Sequence, residues 1–232
     1  RPFRLETGKM AGLANAAFMA CYGDTSVLCT VTASSKPREG VDFFPLSVDF
    51  EEKMYAVGRI PGSFQRREGK ASEKAILSSR CIDRPIRPLF LKDMRNDCSV
   101  VATVMSVDPD CSPEITAAIG VSAAIAVSDI PWDGPIASTS VGLVDGEIVI
   151  NPTLEQREKT ELTLTVSSTA DLVAMIEAGG NEIPDDLMFD CIMAGHEVNK
   201  EIVKFINGIV AEIGKEKFAF ESSNPDPEIM AE

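Results

Sequence analysis

The sequence predicts an α+β protein: mixed β-sheets packed with α-helices in a βαβα-type arrangement, closing on a long C-terminal helix. Three observations predict it. The first third carries period-two and β-branched segments separated by turn residues, two helical segments follow with capping residues at their starts, and the strand pattern restarts after Pro131-Trp132-Asp133-Gly134-Pro135.

In chain order, residues 15–21 and 26–33 read as strands, and Tyr22-Gly23-Asp24-Thr25 between them supplies the turn of a hairpin. Residues 42–57 alternate apolar and polar positions and end at Gly58, where a loop of residues 59–71 begins. A helix is predicted from Ser72, whose hydroxyl caps free N–H groups, to the neighbourhood of Arg84-Pro85, because proline disfavours helical geometry in the residue before it. Residues 98–107 form a continuous apolar run, the pattern of a buried strand. Ser112-Pro113-Glu114 then opens an Ala/Ile/Val-rich helix to about Val127, with a capping side chain, a first-turn proline and an acid at the positive helix end. After the Pro-rich break, a strand to Val144, the turn Asp145-Gly146 and a strand to Ile150 form a second hairpin. Residues 162–167 and 172–177 read as further strands, and an amphipathic helix spans residues 184–213. This gives a subdomain of residues 1–131, a second of 132–205, and a helix end and linker over 206–232.

At 232 residues and 44% hydrophobic content the chain can bury a sizeable core. No apolar run approaches the roughly 20 residues needed to cross a bilayer, and Arg1-Pro2-Phe3-Arg4 carries no apolar signal core, so a cytoplasmic, membrane-free location is expected. The six cysteines form no Cys-x-x-Cys pair and His196 is the single histidine, which argues for reduced thiols and against structural zinc. The start on Arg1 and the Pro-rich, acidic end Ser223-Asn224-Pro225-Asp226-Pro227 lead us to expect part of a longer protein.

The net charge of −14 argues at first against nucleic acid, since Lys and Arg supply most of that affinity. The charge is unevenly placed, however. Residues 59–87 hold 8 basic and 3 acidic residues, whereas residues 88–232 hold 8 and 26. A basic island in an acidic body focuses a polyanion onto one place; the competing reading is a solvated charged loop. Within the island, Arg59-Ile60-Pro61-Gly62-Ser63-Phe64-Gln65-Arg66-Arg67-Glu68-Gly69-Lys70 combines loop-shaping Gly and Pro with adjacent guanidiniums and one aromatic. Guanidiniums grip phosphate bidentately, and an aromatic ring offers a base a stacking surface worth about 1–3 kcal/mol.

At this loop the sequence resembles the bacterial polynucleotide phosphorylase family, specifically the first of its two RNase PH-like cores. The resemblance rests on Asp42-Phe43-Phe44-Pro45-Leu46, Gly58-Arg59-Ile60-Pro61-Gly62-Ser63-Phe64, Arg66-Arg67-Glu68-Gly69 and Ile82-Asp83-Arg84-Pro85-Ile86-Arg87-Pro88-Leu89-Phe90, and extends to Asn151-Pro152-Thr153 and Gly195-His196-Glu197. It implies a homotrimer whose six cores enclose a channel. The implied activity is polyribonucleotide nucleotidyltransferase: phosphate-dependent 3′→5′ degradation and processing of single-stranded RNA to nucleoside diphosphates, using Mg²⁺ and inorganic phosphate, with other RNA-decay proteins as partners. The loop would line the channel entrance, with Phe64 stacking on a base and Arg66, Arg67 and Lys70 holding the backbone. The family's common Phe-Phe-Arg-Arg here reads Phe64-Gln65-Arg66-Arg67, so Phe64 stacks alone. Arg59, Arg84 and Arg87 are candidates for secondary RNA contacts; for Arg84 and Arg87, helix-end pairing with Asp83 or carbonyls is the alternative.

The same resemblance implies no catalytic residue, bound cofactor or metal in this core. The family's second core places serines at a helix N-terminus, a ready anion site. Here that start reads Ser112-Pro113-Glu114, with a carboxylate where phosphate would go and a proline lacking N–H. The second core's aspartate and lysine, two residues apart on a strand, correspond to Leu162-Thr163-Leu164-Thr165. Glu155, Glu158 and Glu161 read as a solvated acidic turn, and His196 as a packing or surface residue. Two alternatives stand beside this reading: a self-sufficient single-core enzyme, and a non-enzymatic assembly module whose Arg-rich loop makes subunit contacts.

Overall fold

The structure is a computed structural model that describes residues 1–223. The Pro-rich, acidic stretch from Asn224 onward lies outside the described residues. Two sheets sandwich a buried helix. The first has the order β1-β2-β3-β5-β4, built from β1 (Phe3–Thr7), β2 (Ala16–Tyr22), β3 (Thr25–Pro37), β4 (Leu46–Glu52) and β5 (Asn96–Ser106). It is mixed, because β4 and β5 run parallel while the other neighbours are antiparallel. The parallel pair requires a crossover, which α1 (Glu73–Ile86) supplies. The second sheet, β7-β6-β8-β9, comprises β6 (Ala137–Val144), β7 (Glu147–Ile150), β8 (Leu162–Ser168) and β9 (Val173–Gly180). It is antiparallel throughout. Its first hairpin turns on Asp145 and Gly146, both at positive φ (52° and 79°), the backbone that a two-residue hairpin with matching twist demands.

Helix α2 (Pro113–Val127) packs against β2 and β3 on one side and β6 and α4 on the other, and every residue from Ile115 to Val127 is buried. This explains its all-round apolar composition: a helix covered on every side has no polar face to keep. A Cβ on Gly120 would come within 2.7 Å of the Ala20 Cβ and 2.6 Å of the Cys29 sulfur, so glycine lets the helix approach the sheet. Ser112 caps its start, accepting the Ile115 N–H at 3.2 Å. Its end is capped from afar by the Lys217 ammonium, which donates to the Ala126 and Ser128 carbonyls at 2.9 and 2.5 Å.

Helix α4 (Asp185–Ile213) packs on β6 and β8 of the second sheet and on α2, with Cys191 in the second-sheet core and Ile206 in the core around α2. It runs unbroken from Asp185 to Ile213, close to the bounds expected for the C-terminal helix. Its contact with β8 is partly polar. Asn199 donates to the Val166 carbonyl and the Ser168 hydroxyl, each at 3.0 Å, and accepts from Thr139 at 2.7 Å. His196 is buried, with Nδ1 2.9 Å from Ser168 Oγ. The packing role expected for this histidine is the one the geometry provides.

Other sequence expectations needed adjustment. Helix α1 does not stop before Pro85; it incorporates it, because Ile82, Pro85 and Ile86 are buried against the core and the Arg87 N–H still reaches the Asp83 carbonyl. Residues 54–57, read as extended, form a one-turn 3-10 helix, Met54–Val57. The acidic turn is helix α3 (Leu154–Lys159), opened by a reciprocal capping box between Thr153 and Gln156.

Candidate nucleic-acid interface

The parallel pair β4 and β5 fixes where the site lies. The chain leaves the carboxyl end of β4 into the Arg-rich loop and leaves the carboxyl end of β5 toward the start of α2. Ligand sites in sheets with parallel strands gather outside those carboxyl ends. A cavity of about 570 Å³ opens there, between β4, the loop, the first turn of α1 and Pro113. Its lining includes Glu52, Glu68, Lys70, Ser72 and Lys74.

The loop is built by local chemistry. Gly58, at φ 69°, ends the 3-10 helix in the left-handed region that glycine adopts without a side-chain penalty. Farther along, the Arg66 N–H bonds the Ser63 carbonyl at 3.0 Å and the Ser63 hydroxyl bonds the Arg67 carbonyl at 3.3 Å. Arg66 itself takes the left-handed conformation, φ 53°, which is costly for a residue with a Cβ and is held by that turn. Ser72 accepts the Ala75 N–H to cap α1 and donates to Glu52 at 2.7 Å.

Phe64 is fully exposed and enters no ring contact among the described residues. Arg59, Arg66, Arg67 and Lys70 are all exposed, and among the described residues none forms an ion pair or a side-chain hydrogen bond. An adjacent pair of guanidiniums with no internal partner keeps its full hydrogen-bonding capacity for an outside anion.

The remaining sequence-singled arginines differ. Arg87 is committed within the fold: Nε and Nη2 donate to the two Asp83 oxygens at 3.1 and 2.6 Å, and Nη2 also donates to the Leu46 carbonyl at 3.1 Å. This is the helix-end pairing with Asp83 and a carbonyl that stood as the alternative to an RNA contact. Arg84 lies 3.7 Å from Glu177 on β9, an exposed and loose pair. The loop therefore gathers Phe64, Arg66, Arg67, Lys70 and Arg59, while Arg84 and Arg87 belong to the α1 end.

At the other wall of the cleft, the start of α2 already holds an anion. The Glu114 carboxylate accepts from the Ser112 hydroxyl at 2.8 Å and pairs with Lys74 at 3.1 Å. Burial pushes this carboxyl up, but the Ser112 hydroxyl, the residue's own N–H and Lys74 outweigh burial and hold it below the ordinary carboxylate range. Lys74 was not singled out from sequence; its charge at the second position of α1 gives no sign that it turns toward α2.

On β8, Thr163 and Thr165 pair with Gly179 and Glu177 of β9. Glu155 is held by Lys159 at 2.6 Å. Among the described residues no group of three or more His, Cys, Asp or Glu side chains could hold a metal ion.

Residues 1–131 match the model of the 3′ exoribonuclease family, domain 1, and residues 134–198 match domain 2 of the same family. A polyribonucleotide nucleotidyltransferase of Lachnoclostridium phytofermentans is 59% identical over 231 residues, covering 100% of this chain and 33% of that protein. The protein of the same name from Clostridioides difficile is 56% identical over 229 residues, covering 99% of this chain and 33% of its own length. The chain thus spans a third of the length of the curated relatives it matches. In fold it is similar to the crystal structure of rice (Oryza sativa) Rrp46, with a TM-score of 0.73 over 90% of this chain and 95% of that one at 18% identity. By both domain matches and by its relatives, this chain belongs to the 3′ exoribonuclease family, of which it carries domain 1 followed by domain 2.

Proposed function

We propose that this chain is the RNA-gripping core of a phosphate-dependent 3′→5′ exoribonuclease, a polyribonucleotide nucleotidyltransferase, and that it does not itself break the phosphodiester bond. The observation that carries the reading is the contrast between two regions: Arg66 and Arg67 stand unpaired beside exposed Phe64 in the loop, while the α2 start is filled by Glu114.

In the reaction of the longer protein, a phosphate oxygen attacks the 3′-terminal internucleotide phosphorus, the bond to the preceding 3′ oxygen breaks, and a nucleoside diphosphate leaves. The attacking group is an anion, so its site needs N–H donors and positive charge without a resident carboxylate. Glu114 occupies the donors that such an anion would use, and β8 offers threonines in place of acid and lysine. In this reading Mg²⁺ and the attacking phosphate belong to the rest of the longer protein; Glu155 of α3 is paired with Lys159. What this core contributes is grip: two guanidiniums on the backbone, one ring on a base, and Lys70 as a further point charge, with Arg59 and Arg84 as secondary contacts. Assembly as a homotrimer, a cytoplasmic location and further RNA-decay partners belong to the same proposal. No helix among the described residues is long and apolar enough to cross a membrane.

The test is direct. The 232-residue chain, incubated with poly(A), phosphate and Mg²⁺, should bind RNA weakly and release no nucleoside diphosphate above background. Release that survives repurification and is abolished by changes within the cleft would overturn the division of labour.

A further inference from the structure

Both stems of the Arg-rich loop close on one short element. At the entry, Gly58 and Arg59 donate their N–H groups to the Tyr55 and Met54 carbonyls, each at 3.0 Å, so the loop departs from the end of the 3-10 helix Met54–Val57. At the exit, the Glu68 carboxylate accepts the Met54 N–H at 2.9 Å. The first N–H groups of a helix lack partners within it, and Lys53, which precedes this one, provides no side-chain cap. Glu68 supplies that cap from the far side of the loop. Between the two ties stand Phe64, Arg66 and Arg67, exposed and with no side-chain partner among the described residues.

From this closure we infer that Glu68 is a positioning residue for RNA binding: a carboxylate of the same sign as RNA that strengthens the grip by holding the loop shut on residues 54–57. The inference rests on the reading of the loop given under Proposed function. Two effects of Glu68 oppose each other. Its charge repels phosphates, an effect that water and salt screen strongly at an exposed position. Its bond to Met54 is a charge-assisted contact that fixes the loop, so the ordering of the backbone between Arg59 and Glu68 precedes RNA arrival and does not count against affinity. Arg66 favours the second effect: its left-handed backbone, costly for a residue with a Cβ, stands between the two ties and adds to what must be ordered before RNA arrives.

The experiment compares Glu68→Ala, Glu68→Gln and the double change Arg66→Ala/Arg67→Ala in the full natural protein, by anisotropy titration of a fluorescein-labelled oligouridylate over a salt series. Glu68→Ala should bind about tenfold more weakly, with an unaltered slope of log affinity against log salt, because no phosphate contact has been removed. Glu68→Gln should bind within about twofold of the unchanged protein, since its carboxamide oxygen still accepts the Met54 N–H. Trypsin supplies a second readout: cleavage after Arg66 and Arg67 should accelerate in Glu68→Ala and stay slow in Glu68→Gln. Equal or tighter binding by Glu68→Ala would overturn the proposal, as would equal weakening by both Glu68 variants, or unchanged cleavage in Glu68→Ala. Weaker binding by the arginine variant alongside an unaffected Glu68→Ala rejects only the positioning role. Unchanged binding by the arginine variant rejects the loop as the RNA site, and the positioning role with it.

Discussion

The Arg-rich loop and the start of α2 carry positive charge in opposite ways. In the loop, Arg66 and Arg67 are exposed and unpaired, on a backbone fixed by turns and by Glu68. At the start of α2, the donors that could hold an anion converge instead on Glu114, joined by Lys74. The difference teaches that a basic residue count does not locate a binding site; what matters is which positive groups the fold leaves without a partner. Lys74 and Arg87 add as much formal charge as Arg66 and Arg67, and the fold uses both internally.

The sharpest way to break this comparison is to remove the unpaired arginines. Arg66→Ala with Arg67→Ala should weaken single-stranded RNA binding by roughly a hundredfold at low salt, and lower the salt slope by roughly 1.4 if each arginine neutralises one phosphate of a single strand. Phe64→Ala should cost roughly tenfold in affinity with the salt slope unchanged, because stacking releases no counterions. A reduced slope in Phe64→Ala would show that the ring positions the arginines and does not meet a base.

The paired side of the comparison makes the opposite prediction. Arg87→Ala should lower stability by about 1 kcal/mol, through lost bonds to Asp83 and the Leu46 carbonyl, and leave RNA affinity within about twofold. Urea unfolding and the same anisotropy titration separate the two effects. If affinity falls while stability holds, Arg87 belongs with the loop after all.

The smallest effect concerns Glu114. Its folded carboxyl titrates below the ordinary value of 4.5, so its contribution to stability is full above that pH and is lost as pH falls through the lower, folded value. The stability gap between the unchanged protein and Glu114→Gln should therefore be constant near neutrality and shrink only below pH 4.5. A gap that instead widens on acidification would mean that the carboxyl is not held by Ser112 and Lys74.

Most of the fold was legible because its signals are local. Ser72 and Ser112 mark helix starts, Asp145-Gly146 marks a hairpin, and the apolar run of α2 marks a helix buried on all sides. Helix α3 was legible in principle: Thr153 and Gln156 have capping-box spacing, but the surrounding acids led it to be read as a turn. Strand β1 is short and alternates charge with apolar residues, and only its pairing with β2 makes it a strand. The site was legible as far as its exposed groups. Phe64, Arg66 and Arg67 sit together in sequence, so the loop declares itself, and the spacing of Asp83 and Arg87 announces their pairing. Contacts that periodicity does not reveal join residues apart in the chain: Lys74 to Glu114 and Glu68 to Met54 near the cleft, and Lys217 at the far end of α2. No periodicity or propensity encodes such contacts, because each depends on how separate elements of the fold are brought together.

The most direct test of the central claim is steady-state phosphorolysis of a long single-stranded RNA by the full natural protein carrying Arg66→Ala and Arg67→Ala. If this core grips RNA and the bond is broken elsewhere, KM for the long RNA rises by at least about tenfold while kcat at saturating RNA stays within about twofold. A kcat that collapses with KM unchanged would place the two arginines in the chemistry itself and contradict the account.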